Sequence, residues 1–314
     1  MKDIITENIR YVEKIVLYAI KHNNNALAAK KYHTIRQNVS RWRKRYNGDI
    51  KSLLPHSRRP KSHPNAHTEE ELELIKDKYS TYKREGMGQV YRKLVDAGYK
   101  RTYGSMMKQI KKMRTEPKEK PVKYPKSKFK PLKAEYPGQF VEVDIKYVPR
   151  ECIGFKSYFD RYYQITAIDL YTKKRVLKLV TEKSTYETSL FMRELEEKIG
   201  FKIETVHTDN GTEFCNDEGM KKSGFEIMLE KLSIRYIRTR PYSPWQNGVV
   251  ERSHRIDNEV FYWGKIFRTE EELYKSFYKY ANRTNNIARK VLNFKTPNEM
   301  LEEYKEKIKI PRTN

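Results

Sequence analysis

Three acidic side chains stand at points where regular segments of the sequence begin or end. Asp144 lies in FVEVDIKYV, Asp209 closes IETVHTDNG, and Glu251 opens VVERSHRI. Three carboxylates brought together can hold two hard divalent cations and leave positions for water and phosphate oxygens. Two such cations activate the attacking oxygen and stabilise the leaving oxygen of an in-line displacement. The residue types therefore predict a phosphodiester-processing site with two divalent cations, Mg²⁺ or alternatively Mn²⁺.

Each acid taken alone has a simpler explanation. Asp209 begins DNG, which is an ordinary turn sequence. Glu251 opens a helix, where any carboxylate is favoured by the exposed backbone N–H groups. Glu142 shares the strand face of Asp144 and can assist it or be paired elsewhere, while Glu213 falls in a loop. The prediction therefore depends on three acids standing together at element ends.

The segments around these acids predict how they meet. Val141, Val143 and Ile145 alternate with polar residues, which is typical of a strand. The predicted strands are 140–148, 162–172, 174–181, 203–211 and 234–240, with helices at 185–200, 225–233 and from 249. Three strands followed by helix–strand–helix–strand–helix predict an α/β layer. If the first and fourth strands pair in parallel, Asp144 and Asp209 meet at one edge of the sheet.

Several basic and polar side chains near the acids are predicted to touch DNA. Trp245 and Gln246 lie in the loop SPWQNG, where simple packing is an equal alternative for Trp245. Lys146 shares a strand face with Asp144 and can meet a phosphate. His254 and Arg255 lie one helical turn beyond Glu251, on nearly the same helix face.

The N-terminal sequence predicts a helix-turn-helix pattern. A helix over IRYVEKIVLYAI ends at three asparagines, and two further helices surround a turn at Tyr32–His33. The last of these helices is predicted to point Val39 and Trp42 inward. Its outward residues are suited to phosphates and base edges, and the predicted DNA contacts are Arg36, Gln37, Ser40, Arg41 and Arg43. A small helical bundle with a solvated basic face is the alternative.

The whole chain is predicted to be multidomain, with all-α helix-turn-helix modules before an α/β domain. The predicted divisions are a helix-turn-helix module at 1–54, a basic linker at 55–67, a second helical module at 68–113, a basic linker at 114–135, the α/β domain at 136–301 and a basic tail at 302–314. The second linker follows from its composition, because so charged a segment cannot bury enough apolar surface to fold alone.

Composition narrows the classes of partner. The 314 residues include 66 lysines and arginines against 41 acids, a formal net charge of +25. Such a chain most often binds a polyanion, with nucleic acid as the first candidate and an anionic membrane surface as the second. No apolar run approaches the roughly 20 residues that a membrane span needs. Two cysteines and no secretory signal predict a reduced, cytosolic protein.

At this level the sequence resembles a known family. VEVDIKYV, VHTDNGTEF and SPWQNGVVERSHR resemble the three acidic motifs of retroviral-integrase-like DDE transposases of bacterial insertion sequences. The resemblance implies a ribonuclease-H-like fold, with Asp144, Asp209 and Glu251 as catalytic and metal-binding acids. It further implies cleavage and joining of transposon-end and target DNA by at least a dimer, in the bacterial cytoplasm at the nucleoid and away from membranes.

Two positions depart from that family pattern. Forty-one residues separate Asp209 from Glu251, several more than in many relatives. Many relatives also carry a basic residue seven positions after the glutamate, where this chain has Asn258. Arg255 or His254 can supply the missing charge. The His and Cys set that binds zinc in retroviral integrases is absent from this sequence.

Two other functions compete with transposition at the level of sequence. One is a DNA-binding regulator whose integrase-like domain is inactive, which the intact acids argue against. The other is a plain ribonuclease-H-type nuclease, against which the basic linkers and helical modules favour a site-specific DNA enzyme.

Overall fold

A computed structural model describes residues 6–55, 64–114, 132–216, 221–240 and 243–309, with backbone alone at 244, 245 and 309. The chain divides into two compact units, Met1–Ala66 and His67–Asn314. Within the described ranges, no helix is long and apolar enough to cross a membrane.

The first unit is a group of three helices, α1 (Glu7–Lys21), α2 (Asn25–Lys31) and α3 (Arg36–Arg45). Asn24 begins α2 by accepting hydrogen bonds from the N–H groups of Ala26 and Leu27. Such a cap satisfies donors that the first turn of a helix leaves free. The core contains Ile15, Ala19, Ala28, Ala29 and Val39. Helices α2 and α3 stand where the helix-turn-helix was predicted.

The second unit is built on one five-stranded sheet. Its strands are β1 (Val141–Tyr147), β2 (Tyr163–Asp169), β3 (Arg175–Val180), β4 (Thr205–Thr208) and β5 (Arg235–Arg238). They lie in the order β3-β2-β1-β4-β5. The first three strands form the predicted antiparallel meander, and β4 pairs in parallel with both β1 and β5. The ends of β1 and β4 therefore share one edge of the sheet.

Helices cover both faces of this sheet. The helices after β3 are α7 (Thr185–Ile199), α8 (Gly224–Lys231), α9 (Gly248–Asp257), α10 (Glu270–Thr284) and α11 (Pro297–Lys309), and a π-helical turn, Asn258–Tyr262, extends α9. Val143 and Ile145 of β1 pack in one core with Phe191 and Leu195 of α7. A second core on the opposite face contains Leu177, Phe261 and Phe277, and α9 contacts β1 there.

The helices α4 (Glu69–Tyr82), α5 (Met87–Asp96) and α6 (Tyr103–Met113) belong to the same unit as the sheet. They enclose a core of their own around Ile75 and Val90. Helix α5 also packs on the C-terminal region, because Arg92 pairs with Glu299 at 3.0 Å. A Cβ on Gly88 would lie 2.9 Å from the backbone nitrogen of Lys290. The helices predicted as a second module therefore rest directly on the sheet-containing part of the chain.

The C-terminal region differs in detail from the sequence prediction. Helix α11 continues to Lys309, so a boundary at 301 falls inside a helix. The description reaches 309, and the rest of the predicted tail lies outside it. The two basic linkers fall mostly outside the described residues, at 56–63 and 115–131.

Candidate active site

Strand β1 binds α9 through the alternating side chains of one face. Glu142 is 2% exposed, and its Oε2 accepts hydrogen bonds from the N–H groups of Val249 at 3.1 Å and Val250 at 2.8 Å. Burial raises the pKa of Glu142 to about 7, although both hydrogen bonds lower it. Glu142 thereby satisfies two of the N–H groups at the start of α9, which lack partners within the helix. The helix is fixed to the strand at this point.

Asp144 follows on the same strand face, under α9. Its Oδ2 lies 3.4 Å from Nδ1 of His254. Burial raises the pKa of Asp144 to about 7, and the negative charges of Asp209, Glu213 and Glu251 raise it further. Like charges disfavour one another's ionised forms at short range. The pKa of Asp144 is therefore affected by the charges of both other predicted catalytic acids.

Asp209 comes directly after β4, at the sheet edge that it shares with the end of β1. Its Oδ1 accepts a hydrogen bond from the N–H of Gly211 at 3.0 Å, which closes the DNG turn. The neighbouring Asn210 donates its side-chain amide to the carbonyl oxygen of Thr239, beyond β5. Two neighbouring strands therefore fix this turn.

Glu251 stands in the first turn of α9 and is exposed. Partial burial raises its pKa, and so does the charge of Asp209. Within the described residues, however, no three His, Cys, Asp or Glu side chains lie close enough together to hold a metal ion. The three acids thus share one electrostatic environment without forming a closed set of ligands.

The chemistry of these donors fits hard divalent cations. Carboxylate oxygens are the ligands that Mg²⁺ prefers. The raised pKa of Asp144 and of Glu251 both include repulsion from the negative charge of Asp209. A cation bound among the acids would relieve that repulsion, because an opposite charge nearby favours the ionised form. The carboxylates of Asp144, Asp209 and Glu251 therefore have the chemistry that such ions require.

Lys146 completes the row of side chains that joins β1 to α9. Its Nζ donates to Oδ1 of Asn258 at 2.6 Å and to the carbonyl oxygen of His254 at 3.2 Å. The ammonium also lies 4.6 Å from the ring centroid of Tyr262. Burial lowers the pKa of Lys146 to about 8. Asn258 stands at the position where many relatives carry a basic residue. Its side chain therefore accepts a hydrogen bond from a lysine of strand β1.

The other predicted contacts near the acids differ in exposure. His254 is 9% exposed, and burial followed by the charge of Lys146 lowers its pKa to about 3. Arg255 is exposed and pairs with Glu259 at 2.8 Å. Gln246 accepts a hydrogen bond from the N–H of Arg240 at 2.9 Å. The side chain of Trp245 lies outside the described residues.

Glu213 is an acid of this site whose placement the sequence did not predict. It is 3% exposed, and its Oε1 pairs with Nζ of Lys183 at 2.9 Å. Its Oε2 is buried without a hydrogen-bond partner among the described residues. A Cβ on Gly211 would lie 2.6 Å from this carboxylate, so the glycine makes room for it. The short spacing between Gly211 and Glu213 is the feature of the sequence from which this packing could have been predicted.

A buried ion pair fixes the far end of α9. Asp257 pairs with Arg175 of β3 at 2.5 Å, and both side chains are at most 1% exposed. Asp257 also accepts hydrogen bonds from Gln164 at 2.7 Å and from Tyr280 at 2.6 Å. The sequence alone did not predict that Asp257 and Arg175, which are far apart in the chain, would pair. Both ends of α9 are therefore bound to the sheet through buried carboxylates.

The predicted DNA contacts of the first unit divide into two groups. Arg36, Gln37 and Arg41 are exposed on α3, whereas Ser40 and Arg43 are half-buried. Arg43 donates to the side chains of Asn23 at 2.7 Å and Asn25 at 3.2 Å, next to the start of α2. The exposed group faces solvent, where Arg41 donates a hydrogen bond to the side chain of Asn38, and Arg43 joins two helices.

Comparison with known proteins identifies the class to which this fold and site correspond. Residues 134–244 match the family described as "Integrase core domain", and residues 13–61 match "Helix-turn-helix domain". The segment that matches a helix-turn-helix domain therefore precedes an α/β segment that matches an integrase core. The predicted fold class and the resemblance to integrase-like transposases of insertion sequences are both confirmed.

Parts of the chain are similar in sequence to two curated proteins. The chain is 34% identical over 97 residues to the "Transposase for insertion sequence element IS4351" of Bacteroides fragilis, covering 31% of this chain and 27% of the relative. It is 28% identical over 127 residues to the "Putative integrase ORF3" of Spiroplasma virus SpV1-C74, covering 38% of this chain and 35% of that one. The matched regions thus span about a third of the relatives' lengths.

Solved structures similar to this chain include the catalytic core domain of BIV integrase. The similarity covers 55% of this chain and 98% of that domain, at 20% sequence identity and a TM-score of 0.38. A chain of the simian T-cell lymphotropic virus intasome in complex with PP2A regulatory subunit B56 gamma matches over 70% of this chain and 71% of its own, at 15% identity and a TM-score of 0.44.

Proposed function

We propose that this protein is a transposase that binds the ends of an insertion sequence and cleaves and joins DNA strands through Asp144, Asp209 and Glu251. The observation that carries the proposal is the placement of these acids: Asp144 lies on β1, Asp209 directly follows the parallel neighbour β4, and Glu251 lies in the helix turn that Glu142 binds to β1. Each comes from a different element, and the charge of Asp209 raises the pKa of both others. Asp144 and Asp209 lie within residues 134–244, which match the integrase core, and Glu251 follows that segment in α9.

The chemistry assigned to the acids requires divalent cations. When bound, two Mg²⁺ or Mn²⁺ ions activate the attacking oxygen and stabilise the leaving oxygen. The chain's own contribution is to hold three carboxylates in place. Glu142 and Lys146 fix α9 to β1 on either side of Asp144. Both strand and helix are thereby oriented before DNA arrives, which lowers the cost of assembling the site.

DNA binding is assigned to two surfaces. The exposed residues Arg36, Gln37 and Arg41 of α3 suit the major groove, where arginine and glutamine read base edges. Near the acids, Arg255 has an exposed guanidinium that can exchange Glu259 for a phosphate. We assign base reading to α3 and backbone contact to Arg255. Joining two DNA ends requires at least a dimer, and such an enzyme acts at the bacterial nucleoid.

The proposal is tested by incubating the full chain with Mg²⁺ and labelled duplex from the DNA flanking its own gene. A transposase nicks the element end and joins it to a second duplex. The variants Asp144→Asn, Asp209→Asn and Glu251→Gln lose both steps and still bind the end. Binding without nicking by the unaltered chain would favour a regulator. Nicking with no preference for the end and no joining would favour a plain nuclease.

A further inference from the structure

A small cationic strip lies beside the acids on the other side from α9. Its members are Tyr147 at the end of β1, Arg161 just before β2, and Lys183 just before α7. We propose that this strip binds phosphate groups of a DNA strand next to the scissile position. The inference rests on the proposed function for its ligand, and it assigns to these three residues a role that the acid motifs do not contain.

Lys183 is the member nearest the acids. Its Nζ pairs with buried Glu213, and the charge of Asp209 also acts on it. An ammonium group carries three donors, of which Glu213 takes one. The Lys183 side chain is 31% exposed, so the remaining donors can reach solvent or a ligand. Glu213 thus holds the ammonium of Lys183 beside the acids while part of that ammonium stays accessible.

Arg161 extends the positive charge away from the acids. Its guanidinium carbon lies 5.0 Å from the ring centroid of Tyr147, and Nζ of Lys183 lies 5.9 Å from the same centroid. Both distances are within the range of cation–π attraction. Tyr147 is half exposed and also packs against Tyr163 at 5.2 Å. Two cations therefore lie within cation–π distance of the one Tyr147 ring.

The charges select a phosphate-bearing ligand. Within the described residues Arg161 forms no ion pair, so its positive charge is not neutralised by a carboxylate. Glu213 pairs with Lys183 through one oxygen only, and the part-exposed ammonium keeps donors for a further anion. Guanidinium and ammonium groups beside an exposed ring are typical of surfaces that follow a nucleic-acid backbone. A DNA strand leaving the acids is the ligand that meets all three features.

The test measures DNA affinity against salt concentration for the full chain, in the Asp144→Asn background and without metal, so that DNA is not cut. We expect Lys183→Ala and Arg161→Ala each to lower the slope of log affinity against log salt by about 0.7–0.9, the value for one phosphate contact. The matched control is Lys198→Ala, a lysine at the far end of α7 that pairs with Glu194 at 2.6 Å. An unchanged slope for both strip variants overturns the proposal.

A double variant separates DNA contact from a merely structural role of Lys183. If Lys183 only neutralises Glu213, then Glu213→Gln restores the slope and the thermal stability of Lys183→Ala. If Lys183 contacts DNA, Glu213→Gln restores stability and leaves the slope low. Restoration of the slope by Glu213→Gln therefore contradicts the proposal.

The role of the Tyr147 ring is tested separately. Tyr147→Leu should lower the slope more than Tyr147→Phe, because phenylalanine keeps the ring.

Two DNA sources are distinguished by repeating the titration with element-end duplex and with unrelated target duplex. A slope change confined to one of them assigns the strip to that DNA, and either result supports phosphate binding. These readouts do not depend on cleavage. Failure of the acid variants to lose cleavage would refute the proposed function and leave the measured slopes intact, so the two failures are distinguishable.

Discussion

Glu142 accepts a 2.8 Å hydrogen bond from the backbone N–H of Val250, the residue directly before Glu251. Asp144 lies two residues after Glu142 on the same strand, β1. The strand that carries one proposed catalytic acid is therefore bound directly to the helix turn that carries another. Glu142 is also almost fully buried, whereas Glu251 is exposed. The two glutamates have different environments, and we expect them to have different roles.

The first prediction compares these two glutamates. Glu142→Ala should lower the free energy of unfolding by about 0.5–2 kcal/mol, because the start of α9 loses its acceptor. Glu142→Gln keeps an oxygen that accepts from Val250, so its cleavage rate should fall by less than about tenfold, or about 1.4 kcal/mol. Glu251→Gln should lose more than about a hundredfold. Cleavage assays on labelled end DNA, with urea unfolding for stability, check this ranking, and equal losses for both glutamine variants would contradict it.

The second prediction concerns the buried pair at the other end of α9. Asp257→Asn leaves Arg175 charged and buried without an ionic partner, so the free energy of unfolding should fall by about 3–5 kcal/mol. Urea unfolding at neutral pH measures the change. The matched control is Glu259→Gln, which removes an exposed pair on the same helix and should cost less than about 0.5 kcal/mol. Similar values for the two variants would show that α9 does not depend on its buried pair.

The pH dependence of that stability has a definite sign. Arg175 lowers the pKa of Asp257 below its usual value, despite the opposing effect of burial. A lowered folded-state pKa means that the stabilisation is complete above the unfolded pKa of about 3.9. It is lost as pH falls through the folded-state pKa. The difference between the parent chain and Asp257→Asn should therefore be constant from neutral pH to about pH 5 and shrink in more acidic solution.

The third prediction concerns the first unit. Gln37→Ala and Arg41→Ala should each reduce the preference of the full chain for element-end DNA over random duplex by about 1–3 kcal/mol, because base contacts specify sequence. Arg43→Ala should instead lower thermal stability, since Arg43 joins α3 to Asn23 and Asn25. Competition binding and thermal unfolding separate these effects. A full preference retained by both α3 variants would remove this helix from the DNA interface.

Local patterns predicted most of the elements because each pattern lies within one segment. The alternation around Asp144 predicted β1, and the amphipathic segment ending at Gly200 predicted α7. Gly200 adopts φ +88, a conformation that favours glycine and ends the helix there. The parallel pairing of β1 with β4 was only a condition for Asp144 and Asp209 to meet, and the structure contains that pairing.

The contacts that position the acids were not predictable in the same way. Glu142 meets Val250 across 108 positions of sequence, and Lys146 meets Asn258 across 112. No local pattern encodes such pairs, because they depend on how α9 packs across the sheet. Glu213 was interpreted as a loop residue, since burial of a carboxylate depends on partners such as Lys183 that lie elsewhere in the chain.

The proposed function requires that Asp209 binds a divalent cation during DNA cleavage. The most direct measurement compares cleavage of labelled element-end DNA by the parent chain and by Asp209→Cys, in Mg²⁺ and in Mn²⁺. A thiolate is a poor ligand for hard Mg²⁺ and a more acceptable one for Mn²⁺. We predict that the parent chain cleaves with either ion, and that Asp209→Cys is inactive in Mg²⁺ and regains activity in Mn²⁺. Parent-level cleavage by Asp209→Cys in Mg²⁺ would contradict the account.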